Sequence, residues 1–501
     1  MPEEMLDDPF TVSEAADFIS TKNAISQNNA VIAVNRFGLG AKPNELTHAE
    51  KDPQAFLINQ LVIPKFLPTQ YSSDSIMQLL ADYQKQKQRD RKAVETSTVG
   101  INIPTETANS MSIDTSMANS DATDNVKAAP LKPKNKPPFR KAFIELTTSS
   151  LQSAIDSPNS LSWRLLQFFS NHFSVTAQGP FMTGLAPTLE REAIAPNLLG
   201  SFEDMLLAVT AHPAMIKYLN NEKSFGANSK LGRRGKGLNE NLAREILELH
   251  SLGVNSGYSQ TDVIELAKGI SGWSIANPKR DKQTGFLFRS NGHESGTRKL
   301  LGKQYPQSGI EQGQTMLVDI ARHPQTAKHL CYKLAKHFIA DKPSASLQNQ
   351  LVKTWIRTNG NIKQVMITMI SSTEAWQPIR QKFKTPTEFV ISAYRAFDIS
   401  VPKGRKMIQL LTELGQQPFK ANSPAGFSDD EKDWNGANAL MTKINWSVRL
   451  AERQRKQMAA DLIVNTFGQT MTESSYKTIT RAESRDQALA LLLLSPEFLR
   501  R

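Results

Sequence analysis

The sequence predicts a mostly α-helical protein: a large multi-helix, orthogonal or bundle-like fold with a minor β-hairpin and a disordered insertion. Three observations predict it. From residue 139 onward apolar residues recur with helical rather than strand periodicity. Helix-start signals stand in front of those runs, among them Thr385-Pro-Thr-Glu388, which combines a cap, proline at the first position and glutamate at the third. Only two short runs have strand character and turn-like flanks, Phe286-Leu-Phe288 and Lys299-Leu-Leu301, and they are expected to pair as a hairpin.

Along the chain, residues 11–82 read as short helices, and Thr47-His-Ala-Glu50 has capping-box spacing. The composition changes near Lys85. Residues 85–92 are dense in Lys, Arg and Gln, residues 95–125 in Ser, Thr, Asn and Asp, and residues 127–138 add Lys and Pro. Such a stretch cannot bury enough apolar area to offset its ordering entropy, so residues 85–138 are expected to form a disordered polar and basic insertion. It divides an N-terminal helical part of the main fold, residues 1–84, from the main helical body, residues 139–501. In that body, Ser157-Pro-Asn159 opens a helix running through Trp163 to His172. Residues 201–221 read as two helices broken at His212-Pro213. A basic, glycine-rich loop, residues 226–237, leads into the helix over residues 239–250. Ser259-Gln-Thr-Asp262 resembles a capping box for the next helix. Residues 205–219 align without gaps to residues 316–330, each reading helix, His-Pro break, helix. We read this as one packing motif used twice, with proline where its missing N–H costs nothing.

The bulk properties narrow the classes. The 501 residues are 39% apolar, enough for a substantial core once the polar stretch is set aside. A net charge of +12 permits acidic partners, but aromatic–basic stacking repeats are absent, so there is no specific nucleic-acid signal. The single cysteine, Cys331, excludes an internal disulfide framework and a cysteine metal cluster, and reads as a small buried hydrophobe. Residues 1–10 are acidic and lack a signal-peptide pattern. The longest apolar run, residues 488–494, falls far short of the ~18 residues a membrane span needs. A cytoplasmic protein without a membrane segment is expected.

The helix over residues 239–250 has the most informative polar face. Leu242, Ala243, Ile246, Leu247 and Leu249 share one side, while Glu240, Asn241, Arg244, Glu245 and Glu248 share the other. Asn239 is the expected cap and Gly253 the expected stop. Glu240, Arg244 and Glu248 stand at four-residue spacing on one stripe, which suits either a solvated salt-bridged face or a buried polar network with acid/base capacity. His250 lacks the spacing to share a metal with Glu245 or Glu248 and reads as a core histidine, as does His172 beside Asn171. His212 and His323 precede proline and can cap with their rings. His293 lies in a loop near Glu294 and Arg298, where site residues are commoner. In the basic loop, Arg233, Arg234 and Lys236 precede a helix N-terminus, an arrangement suited to an anion or to a plain mobile connector. It is not a P-loop, and neither a nucleophile elbow nor a dinucleotide fingerprint occurs. No metal or cofactor is expected.

At these residues the chain resembles a bacterial family catalogued as a domain of unknown function, number 1800. The resemblance rests on Asn35-Arg-Phe-Gly-Leu-Gly and the residues to 46, Phe169-Ser-Asn-His-Phe-Ser-Val175, and residues 191–210. It continues through residues 237–253, Tyr258-Ser-Gln-Thr-Asp-Val263, Ala321-Arg-His-Pro324, residues 382–389 and Ser423-Pro-Ala-Gly-Phe427. It covers nearly all of the chain outside residues 85–138. One departure is Arg298, where the family usually has Lys after the positions of His293 and Gly296; charge is kept and donor geometry is not. The resemblance implies a mostly helical fold and a sulfatase- or phosphatase-like protein partner. Two functions are therefore expected. One is a binding or accessory protein acting with such a partner. The other is a hydrolase, with Glu245 or Glu248 as general base, Arg244 orienting it, Arg233 and Arg234 clamping an anion, and the His293 loop completing the site.

Overall fold

The computed structural model describes residues 26–98, 138–235 and 237–501. Residues 99–137, which make up most of the expected insertion, lie outside the described residues, as do residues 1–25 and Lys236 of the basic loop. The described residues are mostly helical, with two small two-stranded antiparallel sheets.

The helix Ser73–Thr98 carries the chain past Lys85 into the stretch expected to be disordered. Lys, Arg and Gln are good helix formers. Gln78 and Gln86 also donate to Asp82 and Asp90 one turn on, at 3.4 and 2.8 Å. The N-terminal residues share their core with the rest. Phe37 packs on Phe338 and Trp376, with ring centroids 6.0 and 5.8 Å apart. The buried Arg36 donates to the Ala375 and Ile379 carbonyls at 2.8 and 2.6 Å. Arg395, from the helix Pro386–Ala396, donates to Gly40 O and to both Glu45 oxygens, each at 2.8 Å.

Local signals account for many boundaries. Ser259 with Asp262, and Thr385 with Glu388, form reciprocal capping boxes at the starts of Gln260–Gly269 and Pro386–Ala396. The His-Pro motif recurs structurally. Phe202–Ala211 gives way to Pro213–Tyr218, and Ile310–Arg322 to Pro324–Phe338. At each break a histidine Nδ1 accepts the N–H two residues on, from Ala214 and Gln325, both at 3.1 Å. Thr47 does not cap. The helix Glu45–Lys51 starts two residues earlier, after a left-handed turn at Asn44, and Glu45 takes the Lys42 N–H at 2.8 Å.

The strand pairing differs from the expected hairpin. Phe286–Phe288 pairs with Trp273–Ile275, and Arg298–Leu300 pairs with Lys303–Tyr305. Each run found a partner nearer its own end of the segment, Lys303–Tyr305 through the turn at Leu301 and Gly302. Among the described residues three π turns interrupt the helical regions, at Ala33–Phe37, Glu190–Ile194 and Ile246–His250.

Candidate functional site

The polar face of the 239–250 helix is a surface ladder. Arg244 meets Glu240 at 3.2 Å and Glu248 at 3.5 Å, with all three side chains about one-third exposed at 37, 33 and 29%. Arg244 also donates to Gln260 at 2.9 Å. Glu245 is half-buried, and its carboxyl is raised by burial and by Glu248. The cap differs from the expected one: the helix starts at Asn241 after Glu240, and Asn239, one residue further out, accepts the Asn241 N–H at 3.0 Å. Leu242, Ala243, Ile246, Leu247 and His250 face the core.

The other polar residues singled out in the sequence divide. Asn239, Glu240 and Asn241 stay at the surface end of the helix, while His172 and His250 are buried. His172 donates from Nε2 to the His250 carbonyl at 3.1 Å and accepts from Lys333 Nζ at 2.9 Å. Burial, reinforced by Lys333, lowers His250 to about 3, and burial lowers Lys333 to about 8. Asn171 points elsewhere, pairing twice with the Phe427 backbone at 2.8 and 2.7 Å.

The basic loop and the His293 loop do meet. Glu294 accepts Asn228 N at 2.9 Å and its side chain at 2.5 Å. His293 Nδ1 donates to Ser271 O at 3.0 Å, and burial lowers the ring's pKa. Arg233 and Arg234 are exposed.

A cavity of about 170 Å³ lies elsewhere, between the helices Phe139–Asp156 and Ser160–His172, the π turn at Glu190, His337 and residues 427–429. Its walls are largely apolar, with Leu151, Trp163, Leu166, Phe173 and Phe419 among them. Four polar residues, Thr147, Glu190, His337 and Asp429, stand out against that lining. The π turn directs neighbouring carboxylates apart. Glu190 takes the Ser150 and Ser170 hydroxyls at 2.5 and 2.8 Å, and Glu192 takes Ser73 N at 2.7 Å and His212 at 3.2 Å. Burial raises the Glu190 carboxyl. His337 bonds Asp429 Oδ1 through Nδ1 at 2.9 Å, and its Nε2 has no partner among the described residues. Thr147 Oγ1 is likewise buried without a partner. Burial lowers the His337 pKa against the pull of Asp429. Burial would raise Asp429, but His337, Lys382 and Arg501 outweigh it and hold that carboxyl well below its usual range.

The segment carrying Asp429 is pinned by Asn171 on Phe427, by Lys382 on Asp429 O at 2.7 Å, and by Lys336 on Asp430 at 2.7 Å. Behind it, Glu388 bridges Arg164 and Arg501, each at 3.0 Å. Its own burial opposes ionisation, yet the two guanidiniums lower it to about 2.

Sequence reasoning named Asn171 from this lining and missed Thr147, Glu190, His337 and Asp429. Two of them sit at the edges of stretches that carry the family resemblance: Glu190 precedes residues 191–210 and Asp429 follows Phe427. His337 and Thr147 look like ordinary positions on amphipathic helices. Among the described residues no group of three or more His, Cys, Asp or Glu is placed to hold a metal ion, and no helix is long and apolar enough to cross a membrane. Cys331 is buried and its thiol is pushed up by that burial.

These features define a mostly helical protein built around one continuous core and a ligand-sized cavity. The chain belongs to the family described as "Protein of unknown function (DUF1800)", whose model matches residues 32–500. No curated protein and no solved structure matches it. Ser170, Asn171, Thr385, Glu388 and Phe427, from three stretches of the resemblance, line the cavity.

Proposed function

We propose that the protein binds a small, largely apolar molecule in this cavity. One observation carries the reading: a cavity of about 170 Å³ with largely apolar walls opens between two helices and the π turn at Glu190. An apolar occupant covers that lining and takes its own surface out of water, so its entry is favoured. The volume of about 170 Å³ suits it, since an apolar cavity of about 150 Å³ accepts benzene. Saturating toluene should raise the melting temperature by a few degrees, and Ala154→Leu, which fills the lining, should abolish the rise. Equal shifts in both proteins would overturn the proposal.

A sulfatase- or phosphatase-like partner, implied by the family resemblance, belongs to the same proposal, with the binding protein acting beside it in the cytoplasm. Co-purification from the native host tests it. Hydrolysis is a second reading, favoured by the opposite shifts of Glu190 and Asp429 in one cavity. In that reading His337, oriented by Asp429, is the base and Glu190 the acid. The set Glu245, Glu248, Arg244 and His293, with Arg233 and Arg234, stays a proposal outside the cavity. Single replacements at Glu190 and at Glu245, assayed side by side on simple esters, separate the two locations.

A further inference from the structure

We propose that the open groove between the helices Phe139–Asp156, Gly179–Leu185 and Lys406–Glu413 docks an acidic, amphipathic segment of a partner protein. The groove is separate from the cavity, and the proposal does not depend on what the cavity holds. The two share the helix Phe139–Asp156 but use different faces of it. Thr147, Ser150, Leu151 and Ala154 line the cavity, whereas Lys141, Ile144, Glu145 and Thr148 line the groove. The groove measures about 1300 Å³, beyond the ~300–1,000 Å³ of a small-molecule site, so it suits a stretch of chain.

Charge sets the sign of the partner. Arg140 and Lys141 stand in the first turn of Phe139–Asp156, Arg405 at the entry to Lys406–Glu413, and Lys420 in the chain that follows it. All four are exposed, and none makes an ion pair or a side-chain hydrogen bond among the described residues. The lining has two carboxylates, and both have other partners. Glu145 accepts the Thr69 hydroxyl at 2.8 Å, and Glu413 accepts the Gln409 amide at 3.1 Å. The cations contribute little to folding where they stand, because a helix start favours acids, and neither helix has an acid in its first turn. Four unpaired cations on three segments therefore give one groove a positive field.

The rest of the lining sets the class. Ile144, Ala177 and Pro418 are half-buried and Pro180 is exposed, so aliphatic surface lies between the cations. A nucleic acid gains from cations but also needs rings on which bases stack, and Phe139 and Phe143 of this lining are buried. A membrane surface rewards a projecting basic face rather than a recess that holds two carboxylates. A peptide helix with acids on one side and apolar side chains on the other meets both parts of the lining. The stripe from Lys141 to Thr148 runs ~10 Å along its helix, which matches about two turns of such a segment.

Fluorescence anisotropy of the full chain with three labelled peptides of about sixteen residues tests the proposal. The first carries leucine and glutamate at helical spacing, the second has lysine in place of glutamate, and the third has serine in place of leucine. The first is expected to bind roughly tenfold more tightly than either of the others, and to weaken as salt is raised. The variant joining Arg140→Gln, Lys141→Gln, Arg405→Gln and Lys420→Gln should lose roughly tenfold in affinity for it. Its melting temperature should match that of the wild type, since all four side chains are exposed and unpaired. Affinity unchanged in that variant, or no binding of the first peptide, would overturn the proposal. So would equal binding of the serine peptide, or tighter binding of single-stranded DNA or of phosphatidylserine vesicles, each of which would make the groove a general polyanion site. A dimer of the chain that the variant abolishes would assign the groove to a second copy and overturn the partner.

Discussion

At Glu388 two guanidinium groups and a backbone N–H converge on one buried carboxylate, which also completes the cap of its own helix. Glu388→Ala would leave Arg164 and Arg501 uncompensated in the core, so a loss of about 3–5 kcal/mol is expected in urea denaturation. Because its folded pKa lies near 2 against 4.5 for the free group, the contribution is full above pH 4.5 and is lost as pH falls through 2. Arg244→Ala removes only a partly exposed ladder, and its cost should stay below about 1 kcal/mol. Two histidines, His250 buried and His329 partly buried, add a second pH window. His250 and His329 are lowered to about 3 and about 4 from 6.5, so unfolding takes up their protons in mild acid. Stability should be full above pH 6.5 and decline toward pH 4. His250→Gln should make that decline shallower in urea midpoints measured from pH 7 to 4, and an unchanged slope would argue against a neutral His250.

At the scale of elements, the His-Pro breaks offer a matched pair. Each ring caps a helix, and a cap is worth roughly 1 kcal/mol. His212 also contacts Glu192 at 3.2 Å, whereas the ring of His323 makes the cap bond alone among the described residues. His212→Ala should therefore lower the melting temperature more than His323→Ala; the reverse order would show that the Glu192 contact contributes nothing. Elements were legible where their signals are local. The boxes at Ser259 and Thr385 and the breaks at His212 and His323 need only a few adjacent residues. Strand partners were not, because Phe286–Phe288 is too short to specify a mate and Trp273–Ile275 lies beyond an intervening loop. The π turn at Ile246–His250 is hidden as well, since a wheel drawn at ~100° per residue assumes an uninterrupted α-helix.

Across the whole molecule, Phe37, Arg36 and Glu45 of the N-terminal part are embedded among residues from 338 to 395. Residues 26–98 and 138–501, produced as separate chains in one cell, should therefore assemble and co-elute. An N-terminal fragment that stays monomeric and helical alone would show that the shared core is dispensable. The cavity belongs to this scale, which is why so little of it was legible. Thr147, Glu190, His337 and Asp429 come from four distant places in the chain, and none has a neighbour in sequence that marks its chemistry. Asn171 was visible only as one polar residue on an aromatic helix, and its partner, the Phe427 backbone, leaves no signature in a side-chain pattern.

The π turn at Glu190–Ile194 has a genetic consequence. A π turn is an α-helix that has absorbed one extra residue, and removing that residue returns the segment to regular winding. A single-codon deletion there should therefore be survivable for the fold yet not for the cavity. Glu190 and Glu192 could no longer serve the Ser150–Ser170 pair and the Ser73–His212 pair together. The length of this short segment is thus a lever that separates folding from the shape of the cavity.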